Sequence, residues 1–235
     1  MSTFESAWSA VADVEGWMTE GQGRALFDAA SSCPVGGTIV EIGSFQGRST
    51  IVLATGAPDG ARVVAIDPHA GNDRGPQELE GYDDDAASDH ARFEANLVRA
   101  GIRDRVDHLR TFSHDALDEV GEIDVLYIDG AHRYAPALAD IREWGAKVVD
   151  GGTMLIHDSF SSVGVTAAIA RELVASSRFR YVGRSRSLAI YRVDPAAGRW
   201  ASAARQVAQL PWFAKNVGLK VLISAKILRG REWPY

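Results

Sequence analysis

The sequence predicts an α/β protein built on one mostly parallel sheet with helices on both faces. Three observations predict this class. Residues 38–42 are apolar and β-branched like a buried parallel strand, and they lead through a glycine turn into the helix-compatible residues 51–54. Strand-like and helix-like stretches then alternate as far as residue 193. Only a short turn separates the last two strand-like stretches, which indicates a hairpin.

Length and composition are those of one globular domain with additions. The chain has 235 residues, 46% hydrophobic and 24% charged, which excludes disordered and fibrous classes. A net charge of -6 argues against a nucleic-acid partner, because phosphate contacts need clustered Lys and Arg. The single Cys33 cannot form an intramolecular disulfide. We see no signal segment and no apolar run of about 18 residues, so we expect a soluble, cytoplasmic protein.

Composition shifts divide the chain into three parts. Residues 1–36 carry apolar positions at helical spacing, interrupted at Gly21-Gln22-Gly23, and are expected to form one or two helices. Whether these helices cover a ligand or pack beneath it stays open. Residues 37–194 form the α/β domain, and residues 195–235 form a helical extension.

The elements of the central domain follow from local pattern. Strands are expected at 38–42, 61–66, 105–110, 123–128, 148–156, 179–182 and 187–193, and helices at 91–100 and 163–176. Residues 69–89 show no strand or helix period and are rich in acidic side chains. A connection of this length is commonly functional, so we expect a mobile cover over the substrate.

The turn after the first strand favours a ligand without phosphates. Free backbone N–H groups at the start of the next helix suit a polar or anionic group. In the dinucleotide fingerprint G-x-G-x-x-G, the middle glycine lets a pyrophosphate contact the backbone. Here that position is Phe45, so a nicotinamide oxidoreductase is disfavoured.

A strand ending in an acid, Glu41, followed by G-x-x-x-G resembles motif one of the class I S-adenosylmethionine-dependent methyltransferases. The resemblance extends over residues 38–193 and implies a Rossmann-like sheet of seven strands, mostly parallel, with an antiparallel last strand. It implies that S-adenosylmethionine (SAM) is bound by Glu41, Gly43, Ser44, Phe45, Gly47, Ser49, Asp67, Ser113, His114 and Asp129.

Two of these assignments have structural alternatives. Asp67 ends the second strand, 20 residues after Gly47, where an acid accepts hydrogen bonds from ribose hydroxyls. It could instead cap a turn. Ser113 and His114 stand where the resembling family holds the adenine, and Ser113 could also be the N-cap of a following helix.

Asp129 and Asp158 end two further strands and therefore face the same crevice. Two converging carboxylates either share a proton or hold a divalent cation. The second arrangement resembles the metal-dependent O-methyltransferases, including the catechol, macrocin and methylmannose polysaccharide enzymes. This resemblance implies Asp129 and Asp158 as ligands of Mg²⁺ (or Mn²⁺), with Asp129 and His132 as catalytic residues and His132 as the base.

The pair His157-Asp158 departs from the family pattern, which usually has a carboxylate or an Asp followed by an amide. His157 is therefore a third metal ligand, a residue that orients a ligand, or a substrate contact. A nitrogen donor would relax the preference for Mg²⁺ over Mn²⁺.

These features together predict methyl transfer from SAM to a hydroxyl of a sugar, an oligosaccharide or a glycosylated small molecule. The prediction of a sugar acceptor rests on the resemblance to sugar-modifying methyltransferases, on the polar stretch 69–89 and on the lack of an evident aromatic slot. The alternatives are a metal-independent methyltransferase using His132 alone, and a non-catalytic adenosyl-ligand-binding or membrane-associated module. Residues 200–231 are basic and helical in period, and we expect them to form a homodimer contact in preference to a membrane contact.

Overall fold

The structure is a computed structural model that describes residues 3–70 and 82–224, with side chains from residue 88 to 223 in the second range. The helices are α1 (Phe4–Ala10), α2 (Glu20–Ser31), α3 (Arg48–Gly56), α4 (Tyr82–Arg99), α5 (Tyr134–Lys147), α6 (Val163–Glu172), α7 (Arg199–Val207) and α8 (Leu210–Ser224). The strands are β1 (Thr38–Ile42), β2 (Arg62–Ile66), β3 (Val106–Leu109), β4 (Ile123–Ile128), β5 (Val148–Ile156), β6 (Phe179–Ser185) and β7 (Leu188–Val193).

The seven strands form one sheet in the order β3-β2-β1-β4-β5-β7-β6. Strands β1 to β5 pair in parallel, and β7 runs antiparallel to both β5 and β6. This arrangement confirms the predicted Rossmann-like α/β fold and its closing hairpin. The central strands β1 and β4 are buried on both faces, as their near-continuous apolar composition requires.

Two apolar layers enclose the sheet. On one face, α5 and α6 pack around Trp144, which is fully buried. On the other face, α2, α3 and α4 contribute side chains such as Leu26, Ile51 and Phe93. Helices on both faces leave the strand ends exposed at the two edges of the layer, and the carboxyl ends carry the candidate site.

The N-terminal helices differ from the prediction in where they break. Gly21 and Gly23 lie inside α2, and the break falls between Ala10 and Glu20. Both glycines were expected to interrupt a helix, but Gly23 serves packing instead. A Cβ at Gly23 would lie 2.8 Å from the ring of Trp8, so only glycine lets α1 pack this closely on α2.

Three other boundaries also differ from expectation. Helix α4 begins at Tyr82, so the end of the irregular stretch predicted at 69–89 is helical. Residues 71–81 lie outside the described residues, and the mobile cover there stays a prediction. Helix α6 ends at Glu172 rather than at 176, and the helix expected after Ser113 is replaced by two short 3-10 turns.

As far as residue 224, the C-terminal extension forms two helices, α7 and α8, where one was expected, and both pack on the domain. Asn216 is buried and donates a hydrogen bond to the Phe160 carbonyl oxygen at 3.1 Å. The guanidinium of Arg184 lies 4.1 Å from the centre of the Trp212 ring. None of the helices within residues 3–70 and 82–224 has both the length and the apolar content to cross a membrane. A homodimer contact or a membrane contact through α8 stays a prediction.

Candidate functional site

The turn between β1 and α3 brings the ends of three strands together. The Gly43 N–H donates to the Ile66 carbonyl of β2, and the Asp129 N–H donates to the Ile42 carbonyl of β1. Gly43 has a φ of +88°, and a Cβ there would lie 2.5 Å from the Asp129 carbonyl oxygen. Glycine is therefore required both for its backbone conformation and for the close approach of β4.

A cavity of about 330 Å³ opens at this edge of the sheet. Most of the predicted site residues line it, namely Gly43, Ser44, Phe45, Ser49, Asp67, Ser113, His114, Asp129 and His132. The hydroxyl of Ser44 is buried and has no hydrogen-bond partner within the described chain. An orphaned polar group on a cavity wall indicates a place for a ligand's polar group.

Glu41 and Gly47 do not line this cavity, and their predicted cofactor contacts stay predictions. The Glu41 side chain is fully buried, and its two carboxylate oxygens accept hydrogen bonds from the hydroxyls of Ser49 and Thr50 on α3. Glu41 therefore holds the first turn of α3 against β1. Gly47 precedes α3 with a φ of +88°, and its role is conformational.

Burial raises the pKa of Glu41 to about 8, although the two hydroxyls lower it, because the charges of Asp129 and Asp67 also disfavour ionisation. The folded state thus retains a proton that the unfolded chain releases near pH 4.5. Between these two values folding binds the proton, so stability falls as pH rises.

We expect Glu41→Gln to remove this pH dependence, because a neutral amide can still accept from one hydroxyl and donate to the other. The free energy of unfolding of the wild type should fall relative to the variant between about pH 4.5 and 8, by at most about 1.4 kcal/mol per pH unit. Urea unfolding of both proteins across this range measures the difference. Parallel pH profiles would contradict the assignment.

The Asp67 side chain stabilises the turn after β1 and also lines the cavity. Its carboxylate accepts hydrogen bonds from the backbone N–H groups of Phe45 and His69, both at 2.8 Å. The capping role that was left open at the sequence level is therefore real. The same side chain lines the cavity, so the ribose role remains compatible with its position.

The corner predicted for the adenine contains a residue that the sequence did not reveal. The Ser113 hydroxyl donates to the Asp140 carboxylate on α5 at 2.6 Å, and it caps no helix. Burial raises the pKa of Asp140 to about 6, against the lowering effect of this hydrogen bond. His114 is largely exposed and stacks on Phe112, with 5.7 Å between ring centres.

The segment between α1 and α2 forms another part of the wall that sequence reasoning missed. Glu15, Trp17 and Met18 line the cavity, so the N-terminal part covers it rather than packing beneath it. The rings of Trp17 and Phe45 lie 5.4 Å apart. With Phe112 they give the cavity an aromatic wall, although the sequence shows no evident aromatic slot.

Asp129 is held by two neighbours at the end of β4. One carboxylate oxygen accepts a hydrogen bond from the Tyr127 hydroxyl at 2.8 Å, and the other lies 3.2 Å from His157 Nδ1. Burial lowers the pKa of His157, but the carboxylates of Asp129 and Asp158 outweigh it and raise the pKa to about 10. The carboxylates thus favour a proton on Nδ1.

Gln22 of α2 faces the other nitrogen of His157. Its side-chain oxygen accepts from the Thr19 N–H at 2.7 Å, which directs the amide nitrogen toward His157 Nε2 at 3.2 Å and the Ser187 hydroxyl at 3.1 Å. An amide donor opposes a second proton on the imidazole. The contact therefore acts against the two carboxylates, which raise the pKa of His157.

Asp158 and His132 form a close pair at the end of β5. His132 Nε2 lies 2.5 Å from one Asp158 oxygen, and the Ser161 hydroxyl donates to the other at 2.9 Å. Burial raises the pKa of Asp158, but the contacts with His132 and His157 outweigh it and hold the pKa well below its usual range. Asp158 is thus a fixed negative charge beside His132.

The turn that carries Asp158 is strained. Asp158 and Phe160 have φ values of +54° and +56°, a conformation that residues with a Cβ rarely adopt. The Ser159 N–H donates to the Ser187 carbonyl and its hydroxyl to the Ile156 carbonyl, each at 2.8 Å. The surrounding hydrogen bonds thus stabilise an unfavourable backbone conformation, and this conformation orients the Asp158 side chain toward His132.

Three of these side chains could together hold a cation. Asp129, His132 and Asp158 each offer one ligand atom, and these atoms all lie within 4.8 Å of one another. His157 contributes a nitrogen 3.2 Å from Asp129 and 3.8 Å from Asp158. The structure therefore brings together all four residues that were predicted for the metal and the base.

A family model described as a methyltransferase domain matches residues 40–159. An uncharacterized protein of Acanthamoeba polyphaga mimivirus is 27% identical over 128 residues, which are 52% of this chain and 51% of that protein. The chain thus spans about half the length of this curated relative.

Several solved structures share the fold. An O-methyltransferase from Bacillus cereus in complex with SAH is 21% identical, with a TM-score of 0.58 over 81% of this chain and 90% of that one. The O-methyltransferase TomG from Streptomyces achromogenes, involved in tomaymycin synthesis and solved with SAM, is 17% identical, with a TM-score of 0.52 over 81% and 88%. The SAH-bound methyltransferase PaMTH1 from Podospora anserina is 14% identical, with a TM-score of 0.58 over 81% and 87%.

Proposed function

This chain belongs to the methyltransferase domain family, and from that premise we propose that it transfers a methyl group from SAM to a hydroxyl of a small molecule. One observation carries the proposal. The turn at Gly43 and the His132 imidazole line the same cavity, so a cofactor on the turn would face a base. Two of the fold relatives are O-methyltransferases bound to SAM or SAH, which supports the same cofactor here.

The cavity wall suits SAM in three respects. Gly43 and Ser44 line the cavity, and the orphaned Ser44 hydroxyl offers a hydrogen bond to the polar end of SAM. Asp67 would accept from the ribose hydroxyls, and its negative charge also favours a cationic sulfonium. The faces of Trp17 and Phe45 attract a positive charge as well.

His132 is the proposed general base. With Nε2–H donating to Asp158, the neutral imidazole has its lone pair on Nδ1, which is buried and has no hydrogen-bond partner within the described chain. An imidazole is suited to take a proton near neutral pH. Asp158 would fix this tautomer and stabilise the imidazolium that forms, as carboxylates do in other histidine-based sites.

We also propose that a divalent cation, Mg²⁺ or Mn²⁺, binds beside the base. The donor set fits, since two carboxylates converge with imidazole nitrogens at the edge of the cavity. Asp129 and Asp158 would hold the ion with His157 Nδ1 as a third donor, which leaves His132 as base. When bound, such a cation lowers the pKa of the acceptor hydroxyl. Binding would require His157 to lose its Nδ1 proton, so affinity should fall in acid.

A metal-independent mechanism is the second candidate, and a specific contact favours it. The His132–Asp158 pair could act without a cation. Asp158 already orients the His132 imidazole and would stabilise its protonated form. Under this alternative Asp129, held by Tyr127 and His157, would only shape the cavity.

Chelation separates the two mechanisms. We expect EDTA treatment to lower turnover by at least about 100-fold, because the acceptor hydroxyl loses its activating charge, and added Mg²⁺ or Mn²⁺ to restore it. The Asp129→Asn variant should resemble the chelated wild type. Full turnover after chelation, with cation content confirmed as nil by mass spectrometry, would select the metal-independent mechanism.

The cofactor proposal is tested by calorimetric titration of SAH into the full chain. We expect micromolar binding in the wild type and loss of binding in Asp67→Ala, because the ribose contact and the Phe45 turn both depend on that carboxylate. The matched control is Asp107→Asn, since Asp107 is an exposed acid on the neighbouring strand β3 that pairs with Arg62. Absence of SAH binding in the wild type would overturn the proposed function.

The acceptor is proposed to be a sugar or a glycosylated small molecule. The aromatic wall formed by Trp17, Phe45 and Phe112 could pack against the apolar face of a pyranose ring, and it would equally admit a catechol. A competition assay with sugars, oligosaccharides and catechols therefore decides the class. Turnover of catechols alone would contradict the sugar proposal and leave O-methyl transfer intact.

A further inference from the structure

A second group of metal-ligating side chains lies behind Asp67, away from the cavity. His69 follows β2, His90 and Glu94 lie on α4, and His108 lies on β3. Ligand atoms of His90, Glu94 and His108 all lie within 4.8 Å of one another. Two chain segments, α4 and β3, thus bring their donors to one point.

The distances within this group are close to those of a metal site. One Glu94 oxygen lies 3.7 Å from His108 Nδ1 and 3.9 Å from His90 Nε2. Tetrahedral zinc with bonds of about 2.0–2.2 Å places its donors roughly 3.3 Å apart. Small side-chain rotations would therefore bring these donors to bonding distance.

His69 packs against this group from the inside, next to the three residues whose ligand atoms converge. Its ring centre lies 5.2 Å from that of His90 and 5.1 Å from that of His108. Its side chain is 1% exposed and that of His108 is 4% exposed. Nε2 of each ring is nevertheless without a hydrogen-bond partner in the described chain. Buried polar atoms are normally paired, so the two orphaned nitrogens indicate an absent partner.

We propose that His90, Glu94 and His108 bind a Zn²⁺ ion or a comparable transition-metal cation, with the neighbouring His69 rotating inward to supply the fourth ligand. Three imidazoles and one carboxylate form a ligand set typical of zinc, and it differs from the oxygen-rich set at Asp129 and Asp158. His90 and Glu94 are 28% and 32% exposed, which gives an ion a path from solvent.

The surroundings support this assignment. Arg103 Nε lies 2.5 Å from the Glu94 oxygen that faces away from the histidines, so the other oxygen stays directed at the cluster. Such outer contacts orient metal ligands. Burial also lowers the pKa of His69 to about 4 and the pKa of His108, so both rings are neutral at pH 7, as ligation requires.

The position of the site suggests its consequence for the protein. The His69 N–H donates to the Asp67 carboxylate at 2.8 Å, so an ion bound to His69 would also fix Asp67. It would join the end of β2 to α4 and β3. The expected role is structural, with bound Zn²⁺ raising the melting temperature of the full chain.

The test is a Co²⁺ titration of the chelator-treated full chain, followed by visible absorption, which is intense for tetrahedral sites. We compare the wild type with His90→Gln and Glu94→Gln, which change part-exposed positions, and with Asp158→Asn as the control for the other cation group. We expect one tetrahedral Co²⁺ in the wild type and in Asp158→Asn. Affinity should fall by at least about tenfold in the two cluster variants.

Melting curves with and without Zn²⁺ give a second readout. Zn²⁺ should raise the melting temperature of the wild type and of Asp158→Asn, and leave that of His90→Gln unchanged. Absence of a tetrahedral spectrum in the wild type would overturn the proposal. So would a spectrum that persists in both cluster variants, because the group would then be only a packing cluster of rings around Phe93 and His108.

Discussion

His132→Gln should lower kcat by about 10²- to 10⁴-fold, the usual contribution of a positioned general base. Glutamine keeps a polar side chain of similar size, but it cannot take a proton from the acceptor hydroxyl. SAH affinity should change little, whereas the melting temperature should fall, because the buried Asp158 carboxylate loses the imidazole beside it. Single-turnover kinetics with saturating SAM and acceptor measure the chemical step directly.

Two comparisons give this prediction its specificity. Asp158→Asn should lower kcat by a similar factor, because an amide no longer selects the Nε2–H tautomer. Ser162→Ala removes only a 3.2 Å hydrogen bond to the His132 carbonyl oxygen and should leave kcat within about threefold of the wild type. A His132→Gln enzyme that retains wild-type kcat would show that the base lies elsewhere.

Gly43→Ala should abolish SAH binding and destabilise the fold by several kcal/mol. The φ of +88° costs an L-residue about 1–2 kcal/mol, and the new Cβ would also meet the Asp129 carbonyl at 2.5 Å. Backbone cannot move aside as a flexible side chain can, so β1 and β4 would have to separate at the cofactor turn. Urea unfolding and SAH calorimetry measure the two effects.

Gly36→Ala is the matched control. Gly36 has a φ of +79° but has no atom within 4 Å of a built Cβ, so its substitution carries the conformational cost alone. We expect a loss of about 1–2 kcal/mol and unchanged SAH affinity. Equal effects of the two substitutions would contradict the argument from the close approach of β4.

Local patterns account for the parts of this molecule that the sequence could predict. The strand, turn and helix at residues 38–56 depend on neighbours within a few positions, and their apolar and glycine pattern is sufficient. Strand-end positions then indicate which acids share a crevice, because parallel strands end at the same edge of a sheet. Asp67, Asp129 and Asp158 were identified in this way.

Contacts between distant residues account for the parts that could not be predicted. Glu41 stands at a strand end like the other acids, and only the fold shows that Ser49 and Thr50 occupy its carboxylate. In the sequence Asp140 is one acid among others on a helix, and only the fold shows its hydrogen bond with Ser113. The sequence pattern around Gly23 predicts a helix break, and only the fold shows that Trp8 packs on this glycine. No local pattern records such pairings.

The contact of Gln22 with His157 and Ser187 has a consequence for synthesis of the chain. The partners lie 135 and 165 positions later, so Gln22 leaves the ribosome long before either exists. A growing chain shorter than 187 residues cannot complete the polar group around His157, whatever else has folded. Helix α2 must therefore either remain undocked or dock before its buried amide has its hydrogen-bond partners, and the polar group around His157 forms only after the closing hairpin has been translated.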